Sequence, residues 1–553
     1  MKKHNIINDP RLLYFATLAV LALPNIALSV TEPISLMAKA CNVILPVSVY
    51  ALLLTLLRNP ARGVWMMFLF IFLSAFQMVL LYLFGGSIIA VDMFLNLVTT
   101  NSTEVGELLG SLIPAVAGVA VVYLPILIQA GRKCMKKDYL LEPQFLRSTR
   151  RYAGVGACIG VLCLITCYAS EPYRATDDLY PVNVCYNIGL AVDRSGRTAR
   201  YAETSAGFTF QARPMHSDES KEVYVLVVGE TARAENFSLY GYPRNTTPLL
   251  STTANLIKFP QAYTQSNTTH KSVPMLLSAS TAEDYNRIYR EKGIISAFKE
   301  AGFHTVFISN QRPNHSFIDI FGQEADSWEF LKEELPASAN VYDCDMLPLV
   351  DKILASGRPK QLIVLHCYGS HFKYRERYPA ELAMFTPEDA EEALAENRDN
   401  LVNAYDNTIL YTDRFLHSLI EKLAGSGAVA GMLYTSDHGE NIFDDELGLF
   451  LHASPRPSAH ELHVPLIAWL SDSYREDYPS TDVALRDNSG KRVITSASVF
   501  HTMLDIAGIS TPVLIDSLSV ASPGYKPGPY NYLSDRNIPV PVNEIIIGKP
   551  LDL

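Results

Sequence analysis

Long apolar runs fill the first third of the chain, and shorter ones recur among polar residues afterwards. Five long runs precede residue 170, at residues 12–30, 35–57, 64–85, 109–130 and 152–169. Each approaches the roughly 20 residues with which a helix crosses the hydrocarbon of a bilayer. One such run is often a buried helix of a soluble protein, whereas five in succession predict a multi-pass membrane domain.

Positive charges between these runs predict the orientation of the domain. Lysines and arginines cluster before the first run and in the loops after the second and fourth runs, whereas residues 86–108 contain neither. Cytoplasmic loops carry the excess of Lys and Arg in membrane proteins. We therefore expect an inner-membrane domain with a cytoplasmic amino terminus, and a periplasmic location for everything after residue 170. The first run has the length of a cleavable signal peptide, but the four runs behind it favour a retained anchor.

Short apolar runs that alternate with helical patterns characterise the remaining part. The runs lie at residues 223–228, 304–308, 362–365, 431–435 and 464–469, and the helical patterns at 291–301, 387–423 and 496–508. Such runs are typical of strands buried on both faces, and their alternation with helices predicts a mostly parallel sheet between helical layers. We expect a five-span transmembrane domain over residues 1–170, a linker with a bridging helix over 171–220 and a periplasmic α/β/α domain over 221–553.

Composition excludes several classes of protein. The net charge of −11 argues against a nucleic-acid-binding protein, and the hydrophobic share of 48% excludes a disordered chain. Three of the eight cysteines, Cys185, Cys344 and Cys367, lie in the predicted periplasmic part. At most one disulfide can form among them, so we expect the hydrophobic core to hold this domain together.

Carboxylates and imidazoles stand beside the ends of the predicted strands. They come from four separate segments and are Glu230, His371, Asp437, His438 and His452. Ligands of open α/β sheets bind beyond the carboxyl ends of the strands. Carboxylate and imidazole groups without a thiolate suit Zn²⁺ or Mn²⁺. A lone histidine is more often a satisfied core or surface residue, but four converging segments predict a metal centre.

Several longer strings resemble one family. They are GETARAENFSLYGYPRNTTP (229–248), NAYDNTILYTD (403–413), TSDHGE (435–440) and LHASP (451–455). Together they resemble the phosphoethanolamine transferase family, which contains lipid A modifying and colistin-resistance enzymes. GET and SDHGE alone would indicate only the wider alkaline phosphatase and sulfatase superfamily. The resemblance extends over nearly the whole chain and implies a periplasmic domain of alkaline phosphatase/sulfatase type.

The resemblance also implies roles for particular residues. It places the nucleophile at Thr269 in the string SNTTHKSVP (266–274), with Thr268 as the neighbouring alternative. Composition alone would make this string a polar loop. The implied metal ligands are Glu230, Thr269, Asp437 and His438. The histidines His371 and His452 match residues that bind the substrate phosphate, shuttle protons or hold a second metal.

The implied reaction has two steps and explains these residue types. A threonine hydroxyl is a weak nucleophile at neutral pH, and coordination to a divalent metal lowers its pKa. Thr269 would attack the phosphorus of phosphatidylethanolamine and release diacylglycerol. Lipid A or the lipopolysaccharide core would then accept phosphoethanolamine from the threonine. With a lipid A phosphate as acceptor, the reaction would neutralise surface charge and weaken cationic antimicrobial peptides such as polymyxin.

Residues between the third and fourth apolar runs suggest a substrate-binding role. Asn96, Thr100 and Glu104 follow one another at intervals of four, which places them on one face of a helix. The family carries this pattern near its active site, where it is thought to bind the ethanolamine head group. A carboxylate facing an ammonium is chemically sensible, and an ordinary amphipathic helix is the alternative.

The match to the family weakens at three places, and the first of them leaves the acceptor open. Ser266 and Asn267 stand where lipid A enzymes usually have Cys-Gly. A family lysine has no clear counterpart in residues 309–316, where Arg312 or His315 are weak substitutes. The Pro- and Gly-rich tail, residues 511–553, has no functional assignment and is expected to be a surface strap.

Three rival functions compete with a phosphoethanolamine transferase. A phosphoglycerol transferase on a similar five-span scaffold can use the same metal-binding residue types. A sulfatase requires a C/S-x-P-x-R motif, and none follows Glu230. A transporter or tethered binding protein would usually carry polar residues within its spans, and these spans have almost none.

Overall fold

The computed structural model describes residues 8–84, 88–99, 102–216, 220–336, 339–388 and 394–551. The chain divides into two compact units. The first comprises Met1–Leu97 with Leu108–Asp193, and the second comprises Val98–Glu107 with Arg194–Leu553. The domain boundaries expected at residues 170 and 220 stay a prediction.

Helices account for most of the described residues before residue 171. They are α1 (Pro10–Thr31), α2 (Leu36–Leu54), α3 (Pro60–Met66), α4 (Phe68–Phe84), α5 (Val91–Thr99), α6 (Ser102–Lys133) and α7 (Pro143–Ser170). Among the described residues, α1, α2, Ile113–Lys133 and α7 are each long and apolar enough to cross a membrane. The α3–α4 pair adds a fifth span if it is counted as one.

The third predicted span is not one straight helix. α3 ends at Met66, α4 begins at Phe68, and the two are bent by 66°. Met67 leaves the helical conformation and closes α3, and its N–H donates to the carbonyls of Gly63, Val64 and Trp65. Hydropathy could not reveal this break because both sides of it are equally apolar.

A buried amide illustrates how polar groups are accommodated in the first unit. Asn25 on α1 donates from Nδ2 to the carbonyls of Asn42, at 2.9 Å, and Tyr180, at 2.8 Å. In hydrocarbon, an amide hydrogen without an acceptor is strongly unfavourable. Asn25 thereby ties α1 to α2 and to the segment just before the helix that begins at Val182.

A seven-stranded sheet forms the centre of the second unit. Its strands are β1 (Glu222–Gly229), β2 (Leu256–Lys258), β3 (His304–Ser309), β4 (Ser327–Phe330), β5 (Lys360–His366), β6 (Val429–Ser436) and β7 (Leu466–Leu470). They lie in the order β2-β7-β6-β1-β5-β3-β4. β1, β3, β4, β5 and β6 are mutually parallel, whereas β7 runs antiparallel to β6 and β2. The prediction of a mostly parallel sheet is confirmed.

Two strands were missed because their sequences carry little pattern. β2 has three residues and β4 has four, and both lie at edges of the sheet. Three of the four residues in β4 are exposed, so no apolar run marks it. The interior strands β1, β5 and β6 are buried throughout, as their continuous apolar runs predict.

Helices cover both faces of the sheet. After residue 170, those of six or more residues are α8 (Val182–Ala199), α9 (Thr269–Leu276), α10 (Ile294–Glu300), α11 (Phe317–Gly322), α12 (Leu347–Ala355), α13 (Arg398–Gly425), α14 (Asp472–Asp477), α15 (Pro479–Asn488) and α16 (Thr495–Ile506). Successive residues of β1 belong to cores on opposite faces of the sheet. Val225 lies in one core with Phe415 of α13, and Leu226 lies in the other with Phe500 of α16. This period of two confirms the α/β/α arrangement. The helix predicted over residues 387–423 begins only at Arg398, after a 3-10 turn at Ala395–Asn397.

Within the described ranges, four pairs of short strands lie outside the central sheet. They join Arg213–Pro214 to Ile509–Ser510, Ala262–Tyr263 to Val493–Ile494, Asn441–Ile442 to Phe450–Leu451, and Asn531–Leu533 to Pro539–Pro541. The last pair corrects the expectation of a surface strap for the tail. Tyr532 and Leu533 are buried there, so the tail is built into the domain.

All eight cysteines are free thiols.

Cysteine labelling tests the predicted orientation of the membrane domain. Cys134 directly follows α6 and Cys185 lies exposed on α8. In spheroplasts, a membrane-impermeant maleimide is expected to label a variant that keeps only Cys185, because a charged reagent does not cross the bilayer. A variant that keeps only Cys134 should react only after the membrane is disrupted, and a cysteine-free variant controls for background. Equal labelling of both in intact spheroplasts would contradict the orientation.

Candidate metal centre

The carboxyl ends of β1, β5 and β6 bring the predicted ligands together. Val228 lies beside His366, and Gly229 lies beside Ser436 in the ladder. The Asp437 N–H extends the ladder by donating to the Gly229 carbonyl at 3.1 Å. Glu230 therefore leaves β1 next to the point where Asp437 leaves β6.

Glu230, Asp437 and His438 form a buried cluster with the spacing of a metal site. One ligand atom from each lies within 4.8 Å of the others. His438 Nε2 is 3.5 Å from Glu230 Oε1 and 3.3 Å from Asp437 Oδ2. Atoms bound about 2 Å from a tetrahedral Zn²⁺ stand roughly 3.3 Å apart. The donor set and its spacing therefore fit a divalent metal such as Zn²⁺.

Thr269 supplies a fourth oxygen beside this cluster. Its Oγ1 is 3.1 Å from His438 Nε2 and donates to Glu230 Oε1 at 3.3 Å. Thr269 is the first residue of α9 and half-buried, whereas the three other residues are fully buried. The hydroxyl of Thr268 instead hydrogen-bonds to Ser266 at 3.1 Å. The geometry thus brings Thr269 rather than Thr268 to the cluster.

The electrostatics of the cluster favour a bound cation. Burial, and then the neighbouring carboxylate of Glu230, raise the pKa of Asp437 to about 7. Burial alone would raise the pKa of Glu230 as well, but His438 and His371 lower it below its usual range. Two carboxylates packed together away from water are unfavourable without a compensating positive charge. A divalent cation between them would supply it.

The tautomer of His438 suits a metal ligand. Its Nδ1 lies 2.9 Å from the Gly439 carbonyl, which can only accept a hydrogen bond. Nδ1 therefore carries a proton, and Nε2, which lies beside the two carboxylates, is the atom that can coordinate a metal once it is unprotonated. Ligating histidines are commonly oriented in this way by a bond from the other ring nitrogen.

A strained residue holds Glu230 and Asp437 against each other. Thr231 has a φ of 60°, which is rare for a β-branched residue and costs about 1–3 kcal/mol. Its N–H donates to Asp437 Oδ1 at 3.1 Å, and its hydroxyl donates to Glu230 Oε1 at 2.7 Å. Its carbonyl accepts a hydrogen bond from Tyr405 at 2.7 Å. Three bonds thus sustain the strained turn that joins the two carboxylates.

His371 and His452 lie beside this cluster. The His452 ring is 4.1 Å from the His438 ring, and the His371 ring is 6.3 Å from the His452 ring. His452 Nδ1 hydrogen-bonds to Glu440 Oε1 at 3.0 Å, and Tyr374 donates to Glu440 Oε2 at 3.0 Å. Burial, followed by the two histidines, lowers the pKa of His452 well below its usual range. Glu440 therefore fixes the orientation of the His452 ring through its Nδ1.

Sequence reasoning missed two further residues of the site. Gln311 donates from Nε2 to Glu230 Oε2 at 3.2 Å and to the Cys367 carbonyl at 2.8 Å. It belongs to the segment in which Arg312 and His315 were expected, but Arg312 donates instead to the Leu335 carbonyl. His366 ends β5 with Nδ1 bonded to Ser309 at 3.0 Å, and burial lowers its pKa to about 4. Gln311 carries no charge and His366 belongs to no periodic pattern, so the sequence alone did not single them out.

The predicted head-group residues are not settled by the structure. Asn96 lies within α5 and Glu104 within α6, but the described part of the chain excludes their side chains. Thr100 lies outside the described residues. Their role stays a prediction.

A glycine beside Glu230 offers a test of the cluster. Gly369 has a φ of +49°, and a Cβ there would lie 2.6 Å from the Glu230 carbonyl oxygen. Gly369→Ala is therefore expected to displace Glu230 and lower zinc affinity about tenfold or more. Gly357→Ala is the matched control, because its φ of +68° carries similar strain and nothing lies within 4 Å of its Cβ. Bound zinc measured at buffered free-metal concentrations checks this, and equal affinities of both variants would contradict it.

Comparisons with known proteins agree with this geometry. The sulfatase family model matches residues 222–509, just over half of the chain. Phosphoethanolamine transferase EptC of Escherichia coli (strain K12) is 28% identical over 323 residues, 56% of this chain and 55% of that protein. Phosphoethanolamine transferase EptA of the same strain is 30% identical over 305 residues, 54% of this chain and 55% of that protein. The matches thus span about half the length of these curated relatives.

Solved structures extend the comparison to both units. The C-terminal periplasmic domain of EcEptC from Escherichia coli, in complex with Zn, is 25% identical with a TM-score of 0.56, covering 60% of this chain and 96% of that chain. The integral membrane protein EptA from Neisseria meningitidis shares the fold, with a TM-score of 0.73 at 22% identity, covering 93% of this chain and 98% of that chain. The chain is a multi-pass membrane protein whose second unit has the fold of the periplasmic EcEptC domain. It belongs to the sulfatase family, and over about half of their length it is similar to phosphoethanolamine transferases.

Proposed function

We propose that the chain transfers phosphoethanolamine from phosphatidylethanolamine to lipid A or the lipopolysaccharide core. The observation that carries this proposal is the half-buried hydroxyl of Thr269, 3.1 Å from His438 Nε2 and 3.3 Å from Glu230 Oε1. An oxygen in this position can both join a metal centre and reach a lipid substrate. Relatives that are named phosphoethanolamine transferases support the choice of the transferred group.

Glu230, Thr269, Asp437 and His438 would hold Zn²⁺, with Mn²⁺ as the alternative. The EcEptC domain solved in complex with Zn supports this choice. Bound Zn²⁺ supplies positive charge that lowers the pKa of a coordinated hydroxyl and offsets the negative charge of the phosphoryl oxygens. The surrounding residues hold these ligands in place and orient the Thr269 hydroxyl toward the substrate phosphorus.

In the donor step, Thr269 Oγ1 attacks the phosphorus of phosphatidylethanolamine. The threonine gives its proton to His452, and the bond between phosphorus and the glycerol oxygen breaks. The leaving oxygen takes a proton and departs as diacylglycerol, and phosphoethanolamine stays esterified to Thr269. In this proposal His452 passes the threonine proton on to the leaving oxygen, because Glu440 holds its Nδ1 and leaves Nε2 as the nitrogen that accepts and returns a proton.

In the acceptor step, an oxygen of lipid A or of a core sugar attacks the same phosphorus. The bond to Thr269 Oγ1 breaks, and the threonine oxygen takes up the proton that the attacking acceptor gives up. Asn96, Thr100 and Glu104 are proposed to hold the ethanolamine ammonium, and His371 the phosphate. Both substrates are membrane lipids, so an anchored enzyme keeps its site close to them.

Comparing two adjacent threonines tests the nucleophile. Full-length protein in detergent receives phosphatidylethanolamine with a fluorescent acyl chain, and release of fluorescent diacylglycerol is measured. Thr269→Ala is expected to reduce release by at least about a thousandfold, because no other oxygen replaces the attacking one. Thr268→Ala should retain most activity, since its hydroxyl bonds to Ser266.

Loss of release in Thr268→Ala alone would overturn the assignment of Thr269. A folded, zinc-loaded wild type that releases no diacylglycerol would contradict the donor. Phosphatidylglycerol is then the next head group to test, because a phosphoglycerol transferase can use the same metal-binding residue types.

A further inference from the structure

The tail reaches the segment that carries Thr269. We call residues 264–271 the nucleophile segment and residues 530–535 the tail segment. The Leu533 N–H donates to the Gln265 carbonyl at 2.7 Å, and the Tyr530 hydroxyl donates to the Thr264 carbonyl at 2.6 Å. Gln265 Nε2 donates in return to the Asn531 carbonyl at 3.0 Å. The two segments are therefore joined along their backbones.

Asn267 joins the tail to both sides of the site. Its Oδ1 accepts from the Tyr532 hydroxyl at 2.6 Å. Its Nδ2 donates to the Ser454 carbonyl at 2.8 Å and to Glu461 Oε1 at 2.7 Å. Asn267 stands two residues before Thr269 and Ser454 two residues after His452. One buried amide thus links the nucleophile segment, the loop with His452 and the tail.

A buried lysine on the other side of Thr269 makes the second link. Lys271 is 2% exposed, and its Nζ donates to the Ser534 carbonyl at 3.0 Å and the Asp535 carbonyl at 3.4 Å. Burying an ammonium is strongly unfavourable unless acceptors surround it. The tail carbonyls supply such acceptors, so the tail fixes the chain on both sides of Thr269.

We propose that the tail segment positions Thr269 for attack, through Tyr532 and Asn267 on one side and through Lys271 on the other. The proposal rests on the proposed function of Thr269 as nucleophile. The tail touches neither substrate nor metal in this account, and its residues act through the segment they hold. Displacement of a reacting atom by about 1 Å can lower a rate about a hundredfold, so small movements of this segment matter.

Removing one hydroxyl from the tail tests the proposal. Tyr532→Phe leaves the ring in place but deprives Asn267 Oδ1 of its donor. Tyr525→Phe is the matched control, since this buried tail tyrosine donates to the Arg492 carbonyl at 2.6 Å, away from the nucleophile segment. In Tyr532→Phe, kcat for diacylglycerol release should fall about tenfold while KM stays within about twofold. The substrate still binds, but Thr269 is no longer held in the position for attack. Tyr525→Phe should keep kcat within about twofold.

Hydrogen exchange on the same full-length proteins provides a readout that does not depend on the reaction. Amides of residues 264–272 should exchange faster in Tyr532→Phe than in wild type, and at the wild-type rate in Tyr525→Phe. Unchanged exchange in Tyr532→Phe would overturn the proposal, and so would faster exchange with unchanged kcat. A wild type without diacylglycerol release would refute the proposed function, while the exchange experiment would still decide whether the tail holds the segment.

Discussion

Two carboxylates face each other out of contact with water, and the second unit is built to keep them there. Glu230 and Asp437 leave neighbouring parallel strands at the same edge of the sheet. Burial and the neighbouring carboxylate of Glu230 raise the pKa of Asp437, because two buried negative charges are unfavourable without a cation. The strained turn at Thr231 and the close packing of Gly369 against Glu230 prevent the two groups from moving apart. A domain that maintains this arrangement is prepared to bind a divalent metal.

The same constraint explains why the surrounding polar groups are so tightly bonded. A hydroxyl that is to attack phosphorus must reach the ligand cluster on one side and an incoming lipid on the other, so its segment cannot drift. Thr269 is half-buried between these two environments. Hydrogen bonds from Asn267 and Lys271 fix the chain on either side of it, and their partners come from the end of the sequence. The position of Thr269, the proposed nucleophile, therefore depends on contacts that are very distant along the chain.

Local pattern predicted the interior strands and the convergence of Glu230, Asp437 and His438, for physical reasons. β1 and β6 are buried on both faces, so their apolar runs were visible, and the polar residues at their ends had to belong to the ligand-binding edge. Thr269 required the family resemblance, because a threonine among serines and threonines has no distinguishing pattern. Gln311, Asn267 and Tyr532 were not predictable, since neutral hydrogen-bonding residues become important only through three-dimensional contacts. The bend between α3 and α4 was hidden by uniform hydropathy.

Trapping the covalent intermediate tests the central claim most directly. Full-length protein is incubated with phosphatidylethanolamine in the absence of an acceptor, quenched in acid and digested, and the peptides are mapped by mass spectrometry. The account predicts a phosphoethanolamine group on Thr269, which disappears when an acceptor is added before the quench. A protein that releases diacylglycerol while Thr269 stays unmodified, or that carries the group on Thr268 or a histidine, would contradict it.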